Sequence, residues 1–126
     1  MNKDGNKTEA QETGNMGEDL AAKFLLKEAY KILERNWHFG KNEIDIIARD
    51  GEFLVFVEVK TRRSASFGEP EAFVTRAKQR ATIKAANGYI MIKNLDLEAR
   101  FDIVSVLYNG NSYDVKQIKS AFYPLV

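Results

Sequence analysis

The stretch from Glu43 to Lys60 constrains the fold of this chain more than any other, since two apolar-alternating runs flank an Asp50-Gly51 pair. Such a pair between alternating runs is the strongest short-range signal for a tight β-hairpin. With these two residues as the loop, counting outward places Glu43 opposite Glu58. The sequence therefore predicts a central hairpin with a defined register.

Alternation of side chains along the two strands sorts the hairpin into two faces. The first face is uniformly apolar and requires burial: Ile44, Ile46, Ala48, Phe53, Val55, Val57 and Val59. The second face is apolar near the turn and charged at the far end: Glu43, Asp45, Ile47, Leu54, Phe56, Glu58 and Lys60. Its three carboxylates lie within diagonal reach, roughly 7–8 Å between backbones. Like charges so placed repel each other.

This carboxylate cluster predicts a site for a hard divalent cation, because Mg²⁺ takes oxygen ligands from one or two carboxylates and offsets their repulsion. Lys60 follows Glu58 by two residues and therefore lies on the same face. A divalent ion with a cationic neighbour is the layout that phosphodiester hydrolysis needs. We predict Asp45, Glu58 and Lys60 as catalytic residues, Mg²⁺ or Mn²⁺ as the cofactor, and Glu43 as a further ligand.

The length and composition indicate one folded domain. A chain of 126 residues suits a single domain, and 44% hydrophobic residues are enough to build a core. The polar N-terminus predicts a disordered tail over residues 1–13, followed by one domain over residues 14–126. The chain has no cysteine, which excludes thiolate metal sites and fits a reducing cytoplasm. No run approaches the ~18 apolar residues of a membrane span, so a membrane protein is not expected.

The distribution of charge is more informative than its sum. The net charge of +1 argues against a strongly basic nucleic-acid binder. From Lys60 to Lys93, however, the sequence contains eight cationic and two anionic residues, which gives a local charge of +6. Arg62 and Arg63 follow the predicted catalytic strand, where they are suited to grip phosphate. A second predicted helix carries a basic stripe at i, i+4 spacing: Arg76, Arg80 and Lys84. The alternative is that this stripe is simply a solvated helix face.

The order of predicted elements is αβββαββ, which suits an α/β fold with a mixed central sheet flanked by helices. The first helix is expected from between Gly14 and Glu18 to about Ala29, and the second from a first turn at Pro70 to about Lys93, with a strand over Tyr89–Ile92 as the alternative. The strands outside the hairpin are expected over Tyr30–Trp37, Arg100–Leu107 and Tyr113–Ile118. Asp102 lies inside an apolar strand, where pairing with an arginine is the expected role.

Ordered short motifs give the chain a resemblance to the YraN-like family of uncharacterised bacterial proteins. They are Gly14 with Gly17-Glu18, Tyr30, Asn36, Glu43-Ile44-Asp45, Phe56 to Lys60 with Arg62, Phe67-Gly68, Pro70, Lys78-Gln79-Arg80, Ala85-Ala86, Arg100-Phe101-Asp102 and Ala121-Phe122. The Asp45 and Glu58-x-Lys60 pattern also resembles the PD-(D/E)xK nuclease superfamily. Two departures from the YraN-like pattern are Ala29 and Asn42, where glycine is usual.

This resemblance implies a restriction endonuclease-like sheet on which Asp45 and Glu58 hold Mg²⁺ and Lys60 orients the attacking water. It implies Glu18 as an outer metal ligand and Lys78 and Gln79 as additions to the nucleic-acid contacts. A likeness to compact archaeal junction-resolving enzymes implies branched DNA as a substrate and a homodimer.

The resulting hypothesis is a metal-dependent DNA endonuclease acting in the cytoplasm. Two alternatives stay open. One is a non-catalytic nucleic-acid-binding accessory of DNA repair or recombination, and the other is a protein-interaction module whose carboxylates form surface salt bridges.

Overall fold

The computed structural model describes residues 9–63 and 74–124, with the side chains of the first helix described from Gly14 onward. The elements in chain order are α1 (Glu9–Lys27), β1 (Lys31–Phe39), β2 (Asn42–Asp50), β3 (Phe53–Arg62), α2 (Arg76–Lys93), β4 (Glu98–Asn109) and β5 (Ser112–Phe122). The predicted αβββαββ order is confirmed. None of the helices in the described ranges is long and apolar enough to cross a membrane.

The five strands form one mixed sheet in the order β1-β2-β3-β4-β5. β3 and β4 run parallel and the other neighbours are antiparallel, so α2 is the crossover between the two parallel strands. This architecture confirms the predicted mixed sheet flanked by helices. The C-terminal ends of β3 and β4 meet at one edge, where Arg62 pairs with Leu107.

Both faces of the sheet are buried, one under each helix. α1 covers a cluster of buried aliphatic residues: Ile46, Ala48, Val55, Val57, Val104 and Val106. α2 covers a second cluster that is richer in aromatic side chains: Ile47, Leu54, Phe56, Phe101, Ile103 and Phe122. Burial on both faces explains why β3 begins with the continuous apolar run FLVFV, since only such a run avoids an exposed side.

The predicted register of the central hairpin is wrong by two residues. The last pair before the turn is Asp50 with Phe53, so the loop consists of Gly51 and Glu52 rather than Asp50 and Gly51. Gly51 takes the left-handed conformation with φ 58°. Asp50 stays in the strand because its carboxylate accepts a hydrogen bond from Arg100 at 3.0 Å. A slip of two residues leaves the assignment of faces intact.

One residue nevertheless changes face. Ile44 was expected beside Ile46, but it packs in the cluster under α2 with Ile47. The regular pairing of β2 with β3 begins only at Ile46 and Val57. Ile44 lies outside it, so the alternation of side chains along the paired strands does not determine which face Ile44 lies on.

α1 differs from its prediction at both ends. It begins at Glu9, upstream of the predicted start, so the tail predicted over residues 1–13 overlaps the helix, while residues 1–8 lie outside the described ranges. It ends at Lys27, where Ala29 adopts a left-handed φ of 69° and Tyr30 N–H donates to Leu25 C=O at 2.9 Å. A non-glycine residue in this region costs roughly 1–2 kcal/mol.

We therefore expect Ala29→Gly to raise the free energy of unfolding by about 1 kcal/mol or slightly less, because relief of the left-handed strain outweighs the extra flexibility of glycine in the unfolded chain. Urea denaturation at fixed pH measures the change. Ala81→Gly, inside α2, is the control and should lower stability by about 0.5–1 kcal/mol. A loss of stability in Ala29→Gly would contradict the argument.

α2 runs to Lys93 as predicted, and the alternative of a strand over Tyr89–Ile92 is wrong. Asn94, not Gly88, caps its end with φ 52°. Gly88 lies inside the helix at a position where a Cβ would stand 2.4 Å from the ring of Phe39, so close packing explains the glycine. Thr75 caps the N-terminus and accepts from Lys78 N–H. The expected first turn at Pro70 and the Phe67-Gly68 motif lie outside the described ranges.

The remaining strands extend further than expected, since β1 reaches Phe39, β4 spans Glu98–Asn109 and β5 reaches Phe122. Asp102 is fully buried and pairs with Arg100 Nη2 at 2.9 Å, which confirms its predicted structural role. Its carboxylate also accepts from Gln117 Nε2 at 2.9 Å and Ser120 N–H at 3.0 Å. This network fastens the bulged end of β5 onto β4.

Candidate functional site

The predicted catalytic residues meet where β2 and β3 part. Asp45 lies just beyond the last regular pair of the hairpin, and its Oδ2 accepts the backbone N–H of Val59 at 2.9 Å. The Asp45 side chain thus accepts a hydrogen bond from a backbone N–H of β3. In the regular part of the sheet, such N–H groups donate to a carbonyl of the neighbouring strand. The Asp45 carboxylate therefore lies between β2 and β3 where the two strands separate, close to Glu58.

Glu58 is a buried carboxylate held between two ammonium groups. Its side chain is 8% exposed, with Lys60 Nζ 3.7 Å from Oε2 and Lys78 Nζ 3.7 Å from Oε1. Lys60 was expected here from the Glu-x-Lys spacing. Lys78 was predicted only as a nucleic-acid contact, but the structure places it on Glu58 from the first turn of α2. The site therefore has two lysines, each from a different element.

The protonation behaviour of these carboxylates reflects their burial. Burial and, after it, the charge of Asp45 raise the pKa of Glu58 to about 7 against the opposing effect of Lys78 and Lys60. Burial also raises the pKa of Asp45, although the Val59 N–H opposes the change. Two desolvated carboxylates, one of which raises the pKa of the other, form a site where added positive charge is favourable.

Glu18 and Glu43 form a second pair beside the first. With its amide turned to donate, Asn36 bridges them, its nitrogen 3.1 Å from Glu18 Oε1 and 3.2 Å from Glu43 Oε2. Burial and then the charge of Asp45 raise the pKa of Glu18, so this pair lies within electrostatic reach of the first. Asn36 has a left-handed φ of 52°. The motif pattern includes Asn36, but nothing in the sequence indicates this bridging position.

The predicted pairing of Glu43 with Glu58 is wrong, because regular pairing of β2 with β3 begins only at Ile46 and Val57, while Glu43 pairs with His38 of β1. There its Oε2 lies 3.7 Å from His38 Nε2. Across the described ranges, no three His, Cys, Asp or Glu side chains converge closely enough to form a ready-made metal cluster. The four predicted ligands are therefore arranged as two adjacent pairs, Asp45 with Glu58 and Glu18 with Glu43.

Gly17 explains how α1 brings Glu18 to this edge of the sheet. A Cβ on Gly17 would stand 1.9 Å from Thr61 Oγ1, so only glycine allows the helix to lie this close to β3. Any larger residue would push the helix, and Glu18 with it, away from Asp45. The Gly-Glu pair was visible in the sequence, but the partner of the glycine was not.

The predicted nucleic-acid contacts separate into several groups. Arg76, Arg80 and Lys84 are exposed on α2, as the basic stripe required. Gln79 donates from Nε2 to Val74 C=O at 3.1 Å and so helps to fix the start of the helix. At the end of β3, the guanidinium of Arg63 lies 6.0 Å from the ring centre of Tyr108. Arg62 is partly buried at the same edge.

The comparison with protein families identifies the lineage of the chain. Residues 17–106 match the model of the uncharacterised protein family UPF0102. This chain belongs to UPF0102. It is 48% identical over 115 residues to a UPF0102 protein of Flavobacterium psychrophilum, covering 91% of this chain and 97% of that protein. It is also 46% identical over 110 residues to a UPF0102 protein of Geobacter metallireducens, covering 86% and 90% respectively.

The UPF0102 match encloses the whole site described above. It begins at Gly17, whose close approach to Thr61 positions Glu18, and it includes Asp45, Glu58 and Lys78. It also includes Asp102, the centre of the buried network under β5. The resemblance to YraN-like proteins drawn from short motifs is thereby confirmed, and all of those motif residues except Gly14, Ala121 and Phe122 lie within the matched range.

Proposed function

We propose that this chain is a metal-dependent DNA endonuclease that hydrolyses phosphodiester bonds at the edge of the sheet where β2 and β3 part. The observation that carries the proposal is Glu58, a carboxylate 8% exposed that lies beside Asp45 and between Lys60 and Lys78. Because the charge of Asp45 raises the pKa of Glu58, holding both carboxylates ionised costs stability, and a bound cation would offset that cost. The composition without cysteine supports a cytoplasmic location.

The residues present fit a divalent ion of the magnesium type. Mg²⁺ in nucleic-acid enzymes is usually held by one or two carboxylates and completes its shell with water and substrate phosphate. Asp45 and Glu58 supply such a pair, so the lack of a third converging carboxylate does not conflict with this ion. The charge of Asp45 acts on Glu18 and that of Glu43 acts on Asp45, so this second pair would add negative charge around the ion. When bound, the ion would supply Lewis-acid activation of the phosphate and of a water molecule.

The chain's own residues account for the rest of the chemistry. Lys60 projects an ammonium group beside Glu58, where it would neutralise charge that develops on a phosphate oxygen and orient the attacking water. Lys78 lies 3.7 Å from the opposite oxygen of Glu58, where its charge favours the ionised carboxylate and opposes the upward shift of the Glu58 pKa. The exposed stripe of α2 offers positive charge for the DNA backbone.

The direct test is incubation of labelled linear, flapped and four-way DNA with Mg²⁺, Mn²⁺ or chelator. We expect cleavage that requires the ion and a preference for branched substrates. Asp45→Asn should abolish it, and Lys60→Ala should slow it by about 10²- to 10⁴-fold, the range of one positioned acid or base. Lys119→Ala, an exposed lysine on β5, is the matched control and should cleave as wild type.

The other outcomes separate the alternatives. DNA binding without cleavage under any ion would favour the accessory role in repair or recombination. A protein that neither binds DNA nor responds to the ion would favour an interaction module. That last reading has less structural support, because Glu58 is buried and not part of a surface salt bridge.

A further inference from the structure

A groove of about 300 Å³ lies along one flank of α2, where the helix faces Tyr123 just beyond the end of β5. Arg76, Arg80 and Lys84 line it with positive charge, and Ile83 adds an apolar surface. The volume is at the low end of ligand pockets, which span roughly 300–1,000 Å³. It is therefore suited to one flat group rather than to a large ligand.

The charge of the groove indicates a polyanion. Its three cations recur every four residues, which is ~6 Å along a helix axis. No carboxylate is present among the described residues that line it. Because the cations repeat at intervals and do not converge on one point, they fit an extended chain of phosphates better than a single phosphate ion.

Tyr123 gives the groove an aromatic face. The residue is 68% exposed, and its ring is absent from the aromatic pairs found within the described part of the chain. An exposed tyrosine beside a row of cations is the combination that single-stranded nucleic-acid sites use, with bases stacked on the ring and phosphates on the basic side chains. Asn87, also in the lining, adds an amide at the far end of the groove.

We propose that this groove binds an unpaired segment of a nucleic-acid strand, with one base stacked on Tyr123 and the adjoining phosphates on Arg76, Arg80 and Lys84. A base inside a duplex cannot present its face to the ring, because it stays stacked between its neighbours. The inference deepens the proposed function and rests on it for the identity of the ligand. Arg76 and Lys78 lie in the same first turn of α2 but on different faces of the helix, with Lys78 directed to Glu58 and Arg76 to the groove.

The test is fluorescence anisotropy of the full chain with a short labelled oligothymidine, an abasic oligonucleotide of equal length and a blunt duplex, all in chelator. We expect three phosphate contacts to give a salt dependence of about 2 log units of affinity per log unit of salt on single strands. Tyr123→Leu should weaken oligothymidine binding by about 5- to 100-fold, the effect of one lost stacking contact. Binding of the duplex and of the abasic strand should be unchanged.

Three further variants separate the contribution of the tyrosine ring from that of the basic side chains. Tyr123→Phe preserves the ring and should bind as wild type, and Met91→Ala, which removes an exposed apolar side chain of the same helix, is the matched control. Changing Arg76, Arg80 and Lys84 together to glutamine should weaken all three ligands, since phosphate contacts carry little sequence information. Equal effects of Tyr123→Leu on oligothymidine and duplex would overturn the inference.

The outcomes also distinguish this inference from the proposed function. Since binding is measured in chelator, failure of cleavage in Mg²⁺ together with selective loss in Tyr123→Leu would remove the nuclease and retain the groove. Cleavage that persists with unchanged strand binding in Tyr123→Leu would remove the groove and retain the nuclease. Self-association of the free protein that Tyr123→Leu abolishes, measured by sedimentation, would show a second copy in the groove and overturn the inference.

Discussion

Asp102→Asn should lower the free energy of unfolding by about 3–5 kcal/mol, the usual result of removing one partner from a buried ion pair. Asp102 is fully buried and accepts from Arg100, Gln117 and Ser120. Asparagine keeps the shape but removes the charge, which leaves the buried guanidinium of Arg100 with Asp50 as its one ionic partner among the residues that the structure describes. For a domain with a total stability of 5–15 kcal/mol, this change removes much of the margin.

The environment of Arg100 explains why the pair matters. Burial lowers the pKa of the guanidinium, but the hydrogen bonds that it donates to Asp102 and Asp50 raise the pKa by more, so the net direction is upward. Tyr30 also lies on the cation, with its hydroxyl 2.5 Å from Nη2. The network thus ties the start of β1, the hairpin turn and the bulge of β5 to one buried side chain.

Chemical denaturation of wild type and Asp102→Asn at neutral pH measures the effect. Asp19→Asn is the matched control, because Asp19 pairs with Arg35 at 2.9 Å on the surface, with its side chain 63% exposed. An exposed pair contributes less than ~1 kcal/mol. Equal losses in the two variants would show that burial does not strengthen the Arg100–Asp102 pair.

The order and class of the elements could be predicted because each follows from local pattern. Alternation of apolar and polar residues predicted the hairpin strands, and the helical spacing of apolar residues predicted that α2 continues through Gly88 to Lys93. The β-branched residues around Asp102 predicted β4. These signals are contained within a few residues, so no knowledge of distant contacts was needed.

The predictions that were wrong concern features that depend on contacts between residues far apart in sequence. The turn chemistry of Asp50-Gly51 favoured a loop at those residues, but the ion pair of Asp50 with Arg100, fifty residues away, moved the loop by one position. Ile44 likewise followed its partners under α2 instead of its own alternation. In both places tertiary packing outweighed a local preference of about 1 kcal/mol.

The candidate site was predictable in its strand residues and not in its helix residues. Asp45, Glu58 and Lys60 share a hairpin, so their proximity follows from pairing. Lys78 reaches Glu58 only because of how α2 lies across the sheet, which no spacing along the chain encodes. Sequence could suggest α2 as a basic helix, but not which of its cations enters the site.

The second large effect is expected at Glu58, where stability should depend on pH in the direction opposite to that of an ordinary ion pair. Its pKa is about 7 in the folded protein against 4.5 as the ordinary value. The folded state therefore binds more protons than the unfolded state between these pH values, and stability falls as pH rises through this window. Without a divalent ion, the ionised Glu58 costs on the order of 3 kcal/mol above pH 7.

Glu58→Gln removes that cost. In chelator at pH 8 we expect the variant to melt several degrees above wild type, while near pH 4.5 the two should converge because wild type is then neutral at this position. Added Mg²⁺ or Mn²⁺ should reverse the order at pH 8. The ion would stabilise wild type in proportion to its concentration over its dissociation constant, and the variant, which lacks one carboxylate ligand, should respond little.

Thermal scans of the two proteins at three pH values, with and without the ion, test this expectation. Glu98→Gln, an exposed position at the start of β4, is the matched control and should follow wild type throughout. If Glu58→Gln melts well below wild type in chelator at pH 8, and wild type ignores the ion, then Lys60 and Lys78 already compensate the carboxylate in full. Glu58 would then be part of a structural ion-pair network, and the metal site proposed at the edge of β2 and β3 would be lost with it.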